Sequence, residues 1–279
     1  MANLNRRNFL TGAATLAGLP SAALASTLAE HHWGDVKLGV ATYSLREFSR
    51  KDAIAIIKSL GIRYVNVKSM HMPYESSPAE LKAARAEFEA AGLQIIAGGN
   101  ISLQKNDDAY IKEMLTYARN AGIPTVVCAP THDNLGIIEK YAKEFGLKIA
   151  IHNHGTEDKF YPNGASVLAR VKNMDPCMGL CYDVGHASRT GIDVIQEIEA
   201  AGERLHDMHI KDLDSPDSRD SQVEVGKGKL PIAQVFKTLK KMKYAGYVNL
   251  EYEINAKQPQ LGMAESFAYM RGVLDGQRS

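Results

Sequence analysis

Eight short β-rich runs, each followed by a helical stretch, alternate without interruption from Lys37 onward, and this repetition restricts the chain to very few architectures. The runs cover 37–43, 64–68, 94–98, 125–128, 148–153, 178–183, 205–211 and 247–253. Helices are expected near 50–60, 77–92, 107–122, 133–146, 164–174, 191–202, 231–243 and 262–275. A Gly closes five of these stretches just before the next strand, at Gly61, Gly92, Gly122, Gly146 and Gly246. There the backbone turns left-handed and lacking a Cβ is an advantage. Repeated βα units imply a parallel sheet, and eight at regular spacing imply one closed on itself: an α/β fold, a single (β/α)8 barrel over residues 37–279. An open, doubly wound sheet would normally show a Gly-rich turn after its first strand, and none is present.

Alternate residues of a strand face opposite sides. In the last run Val248, Leu250 and Tyr252 share one parity, and Asn249, Glu251 and Glu253 the other. The seventh sets Met208 and Ile210 against Asp207, His209 and Lys211; the sixth sets Met178, Leu180 and Tyr182 against Gly179, Cys181 and Asp183. The fifth sets Ile149 and Ile151 against Ala150, His152 and His154, and the second Val65 and Val67 against Asn66 and Lys68. In a barrel the apolar parity packs under the helices, so the polar parity points inward. It gathers toward the C-terminal strand ends, where barrel active sites lie.

Residues 1–25 read as an export signal peptide, followed by an extension over 26–36. Arg6 and Arg7 lead into an apolar, small-residue stretch that ends in Ala23-Leu24-Ala25, a signal-peptidase-type site. Roughly 14 apolar residues are too short to span a bilayer, so no stable membrane anchor is expected. The block Asn5-Arg6-Arg7-Asn8-Phe9-Leu10 resembles the twin-arginine signal, which implies passage through that machinery and a periplasmic or otherwise exported protein. Formal net charge is +1 with no basic block, so nucleic acid has no electrostatic footprint here. Cys128, Cys177 and Cys181 are too few and too irregular for a disulfide framework or a Cys-based zinc site.

His152, His154, Asp183, His209, Lys211 and Glu251 form the inward polar set near the strand ends. Carboxylates packed together need a cation or a shared proton, because buried charge must be paired. One divalent ion held by two carboxylates and one or two imidazoles meets that need, and mixed nitrogen and oxygen ligands suit Mn, Zn, Co or Fe. Taken singly, each residue also has a plainer reading. A strand histidine is often a satisfied core residue, and a strand-end Asp is often a helix N-cap.

Three stretches carry a resemblance: Gly179-Leu180-Cys181-Tyr182-Asp183-Val184-Gly185-His186-Ala187, Met208-His209-Ile210-Lys211-Asp212, and Gly246-Tyr247-Val248-Asn249-Leu250-Glu251-Tyr252-Glu253. In this order and spacing the chain resembles the sugar phosphate isomerase/epimerase family, the xylose isomerase-like TIM barrels, over nearly all of its length beyond the signal. The resemblance implies a metal held by an acid on the fifth strand, Asp on the sixth, His on the seventh and Glu on the eighth. By position these are His152 in place of the acid, then Asp183, His209 and Glu251, with His186 as a substrate-contacting histidine. Where the family usually places Glu, this chain reads Ile151-His152-Asn153-His154, similar to the inosose dehydratase variant. His152, His154 and Glu157 all remain open as the fifth-strand ligand.

The implied chemistry is proton abstraction from carbon next to a carbonyl of a sugar, keto-sugar or keto-glycoside, through an enediolate. Reprotonation gives an isomerase or epimerase; loss of a β-leaving group gives a lyase of dehydratase type. Glu251, His152 or His154 is the expected base, Lys211 and His186 polarise or orient the substrate, and Lys68 and His71 contact it from the second strand and its loop. The loop Gly226-Lys227-Gly228-Lys229 stands where barrels often bind phosphate, or only shapes a turn. Two other readings are a non-catalytic periplasmic sugar-binding barrel that has lost its metal, and an endonuclease IV-like hydrolase. Assembly into a homo-oligomer is left open.

Overall fold

The computed structural model describes residues 36–277. The export segment expected over 1–25, and residues 26–35 of the extension, lie outside the described residues. Seven strands pair in chain order, each parallel to the next: β1 (Lys37–Ala41), β2 (Tyr64–Val67), β3 (Gln94–Leu103), β4 (Thr125–Pro130), β5 (Lys148–His152), β6 (Met178–Asp183) and β7 (Leu205–Ile210). A short antiparallel ribbon of β8 (Asp212–Leu213) and β9 (Gln222–Val223) follows. β10 (Tyr247–Leu250) then pairs with both β7 and β1 and closes the barrel. This is the (β/α)8 architecture that the strand and helix repeat implies. Among the described residues no helix is long and apolar enough to cross a membrane.

The strand parity holds. Val65, Val67, Ile149, Ile151, Met178, Leu180, Tyr182, Met208, Ile210, Val248 and Leu250 all join one continuous apolar layer beneath the helices. Cutting one such Leu or Ile back to Ala costs roughly 2–5 kcal/mol, because the space it leaves does not fully collapse. The opposite parity builds the interior, where a second, small cluster of Ile96, Ala97, Val127, Ala150 and Cys181 packs against Tyr64 and Tyr247. Above it Asn66 of β2 bonds Asp207 of β7 at 3.2 Å, although these strands are not neighbours, so both side chains cross the lumen.

Several boundaries differ from the sequence reading. β3 continues past the expected end at Gly98 to Leu103, its pairing with β4 shifting between Gly98 and Ile101. The helix expected over 191–202 starts at Val194, where the Asp193 carboxylate accepts from the Ile195 and Gln196 N–H groups. A separate short helix, Val184–Ser188, stands ahead of it. Gly122 and Gly146 do close their helices at φ 72 and 66. Gly246 does not: Lys243 takes the left-handed turn at φ 54. Gly246 instead admits the Tyr244 hydroxyl, which would stand 2.3 Å from an added Cβ.

The phosphate reading of the 226–229 loop is also corrected. The Gly226 and Gly228 N–H groups donate to Asp212 Oδ2 at 2.9 and 3.1 Å, and Leu230 N–H to Oδ1 at 3.1 Å. The chain's own buried carboxylate therefore fills the anion-binding turn, and an added Cβ at Gly228 would stand 2.2 Å from it. The result is a fixed connection beside β7.

Candidate metal centre

Four adjacent strand ends bring His152, Asp183, His209 and Glu251 to one depth. Register pairs Asp183 with His209, and Glu251 follows β10 directly, its N–H donating to the Ile210 carbonyl at 3.1 Å. Asp183 is also the N-cap of the short helix Val184–Ser188, its Oδ1 accepting from the His186 N–H at 2.7 Å. That bond turns Oδ2 toward the barrel axis. There His152 Nε2 lies 3.6 Å from Asp183 Oδ2 and 3.0 Å from His209 Nδ1, and His209 Nδ1 lies 3.2 Å from Glu251 Oε2. One donor atom from each of the four falls within 4.8 Å of every other, and all four residues are buried.

This set fits a divalent ion. Two imidazole nitrogens facing each other at 3.0 Å need a proton or a cation between them. Asp183 Oδ2 is buried and accepts no hydrogen bond; Lys211 Nζ stands 3.1 Å from it, and the lone pair that faces His152 and His209 is open to a second cation. Two nitrogens and two oxygens suit Mn, Zn, Co or Fe. His152, Cys181 and His209 also lie close enough to form a group, but burial pushes the Cys181 thiol well up, which keeps it protonated and a poor ligand.

Cations already surround the carboxylates. Lys211 Nζ lies 3.1 Å from Asp183 Oδ2, 3.1 Å from Glu251 Oε2 and 2.7 Å from Glu253 Oε2. Lys68 Nζ lies 3.5 Å from Glu251 Oε1. Burial works to raise both carboxyls, but it is outweighed. His186, Lys211 and His152 hold Asp183 well below the usual range, and His209, Lys211 and Lys68 do the same for Glu251. Lys211 is pushed well up, its burial overcome by Asp183, Glu251 and Glu253. Burial takes the His152 ring well down, which leaves a neutral imidazole of the kind a metal binds.

The group opens into a cavity of about 650 Å³ lined by Lys68, His152, His154, His186 and Glu251 among others. Eight of the nine candidate residues therefore meet in one place once Asp183, His209 and Lys211 are counted beside Glu251. His71 does not join them. It is 1% exposed, with its Nε2 3.2 Å from the Phe48 carbonyl, so the loop after β2 turns it into the protein rather than toward substrate. Burial lowers its ring pKa accordingly. The open choice at the fifth strand narrows as well: His152 belongs to the four, whereas His154 faces Asn100 and Asp158, and Glu157 pairs with Arg189.

Sequence reasoning missed Tyr43, Asn100, Asp158, Phe160, Arg189 and Arg219, which also line the cavity. Asn100 was hidden because β3 continues past its glycines. Asp158 and Arg189 carried a usable signal, standing four residues after His154 and three after His186 in the loops that follow strand ends.

No curated protein sequence matches the chain. Solved structures do. An uncharacterised protein from Parabacteroides distasonis is 25% identical, with a TM-score of 0.67 over 86% of this chain and 99% of that one. The 3-keto-D-glucoside 4-epimerase YcjR of Escherichia coli is 16% identical, with a TM-score of 0.71 over 85% of this chain and 99% of that one. The IolI protein, solved with a zinc atom, is 17% identical, with a TM-score of 0.73 over 87% and 99%. The family pattern described as the xylose isomerase-like TIM barrel matches residues 54–273, and this chain belongs to that family.

Proposed function

We propose that the protein is a divalent-metal-dependent enzyme that removes a proton from carbon next to the carbonyl of a keto-sugar or keto-glycoside. The observation that carries the reading is the four-residue group of His152, Asp183, His209 and Glu251 at the base of a cavity that also holds Lys68, His154 and His186. When bound there, a divalent ion supplies Lewis acidity toward ketone and hydroxyl oxygens. Lys211, locked between Asp183, Glu251 and Glu253, adds fixed positive charge beside the reacting oxygens. His186, which burial lowers to about 4, stays neutral and orients the substrate through hydrogen bonding. Glu251 or His154 takes the proton; its delivery to the neighbouring carbon gives an isomer, and protonation of the same carbon from the opposite face gives an epimer. Passing the proton to a departing hydroxyl or alkoxyl group gives elimination.

The keto-glucoside named for the Escherichia coli neighbour and the zinc atom bound by IolI support this substrate class and a metal-binding barrel. A binding protein without metal is less well supported, since the fifth strand delivers His152 to the group. The endonuclease IV-like reading has little to rest on. Among the described residues both candidate metal groups share His152 and His209, so they describe one spot. We also propose that the protein is exported through a twin-arginine signal, which intact mass of the cell-envelope fraction would test by the loss of residues 1–25.

The catalytic reading is tested by incubating the metal-loaded protein with a panel of 3-keto-sugars and 3-keto-glycosides in D2O. Deuterium is expected at the carbon next to the ketone, with uptake greatly reduced in Glu251→Gln. A metal-loaded wild type that incorporates none across the panel would falsify the reading.

A further inference from the structure

Two imidazoles line the cavity beside the four-residue group, and their neighbours hold them in opposite tautomers. Arg189 Nη2 lies 2.6 Å from His186 Nδ1. A guanidinium can only donate, so Nδ1 must accept and the ring hydrogen sits on Nε2, the atom nearer Asp183 Oδ2 at 4.0 Å. Arg189 has no freedom to leave. Its side chain is 5% exposed, pairs with Glu157, and donates to the His154 carbonyl at 3.0 Å. Gly155, at φ 83, makes that approach feasible, since a Cβ there would stand 2.7 Å from Nη2.

His154 is held the other way. Its Nδ1 lies 3.2 Å from Asp158 Oδ2, while Asp158 Oδ1 accepts from the Phe160 and Tyr161 N–H groups at 2.7 and 3.1 Å. Two backbone donors favour the carboxylate form, which can only accept, so His154 carries its hydrogen on Nδ1. Its Nε2 presents a lone pair, met by Asn100 Nδ2 at 2.7 Å. The two rings stand 5.7 Å apart between centroids.

We propose that Asp158 and Arg189 are positioning residues that fix His154 as the proton acceptor and His186 as the hydrogen-bond donor of an acid/base pair beside the metal group. The proposal rests on reading the cavity as a proton-abstraction site. In the step, substrate displaces the Asn100 amide and its C–H bond breaks, the proton passing to His154 Nε2. The released electron pair forms the carbon–carbon double bond while the carbonyl π pair moves onto oxygen, where His186 Nε2–H donates. His154 then delivers the proton to the neighbouring carbon, or to the oxygen of a leaving group expelled from the β-carbon. The base in this step is thus a histidine two residues beyond His152, oriented by the Asp158 carboxylate.

The test is long-range proton–nitrogen NMR of the full chain labelled at histidine, metal-free and zinc-loaded, with deuterium uptake measured alongside. In wild type His154 is expected as the Nδ1–H tautomer and His186 as the Nε2–H tautomer. Asp158→Ala should move His154 to a mixture, and Arg189→Met should do the same for His186, with Arg189→Lys restoring it. Both disruptive variants should lower kcat by roughly 10–100-fold with KM and zinc content unchanged. A wild-type His186 carrying its hydrogen on Nδ1, or tautomers that ignore both substitutions, overturns the proposal, and the wild-type spectrum alone decides if a variant does not fold. Tautomers as expected, with no deuterium uptake by wild type, would instead overturn the proposed function and with it the acid/base role.

Discussion

Asp207 offers a measurement that depends on the barrel interior and little else. Its carboxyl is 1% exposed and bonds neutral amides, taking Asn249 Nδ2 at 2.7 Å on Oδ1 and Asn66 Nδ2 at 3.2 Å on Oδ2. Burial raises it from 3.8 to about 7, against the opposing pull of His209 and these hydrogen bonds. The folded state therefore holds this proton between pH 4 and 7 while the unfolded chain releases it, so the Asp207 contribution to stability falls as pH rises through that window. At ~1.4 kcal/mol per pH unit the full penalty above pH 7 is about 4 kcal/mol, of which about 1–2 is already present at pH 5. Asp207→Asn removes the charge at constant volume. The introduced amide can still accept from Asn249, and a turned Asn66 amide can bring round its Oδ1, which has no partner. Urea unfolding of metal-free protein should find the variant's advantage over wild type larger at pH 8 than at pH 5 by about 2–3 kcal/mol. An advantage equal at the two pH values, or larger at pH 5, would refute the placement of this carboxyl as an uncompensated buried acid.

Other substitutions separate structure from chemistry. His71→Ala should lower stability by about 1–3 kcal/mol and leave zinc content and turnover unchanged, since His71 packs against the Phe48 carbonyl outside the cavity; loss of substrate affinity alone would contradict that. Gly228→Ala should loosen the Asp212-centred loop and speed its amide hydrogen exchange at Gly226, Gly228 and Leu230, and unchanged exchange there would count against that loop's role. Adding zinc at about 100 times its Kd should stabilise the folded chain by about 2.7 kcal/mol, an effect absent from His152→Ala at the same concentration. Equal stabilisation of both proteins would mean that the ion binds elsewhere.

The architecture was legible because eight repeats and strand parity are enforced by burial. Val65, Ile149, Met208 and Val248 must face the helices, and their neighbours have nowhere else to point but the lumen. Asp183, His209 and Glu251 were legible for the same reason, since period and strand-end position together fix their depth. The loops were not. Whether His71 turns inward or outward depends on the backbone carbonyls of Leu45 and Phe48, which no periodicity encodes. His152 and His154 share one strand parity, yet only His152 reaches the group; His154 is diverted by Asp158, four residues later on a loop. The third strand reads as ending at Gly98 but continues to Leu103, which concealed Asn100. Gly226 and Gly228 suit an anion, but the anion is the carboxylate of Asp212 on the first strand of the preceding ribbon.

The central claim is that four strand ends make one metal centre. A crystal structure of the protein loaded with zinc or cobalt, with anomalous data at the metal edge, tests it most directly. The account predicts one strong peak per chain within coordination distance of His152, Asp183, His209 and Glu251, with His154 still hydrogen-bonded to Asp158. A peak bound by His154 or Glu157 in place of His152, or no peak at the strand ends at saturating metal, would contradict it.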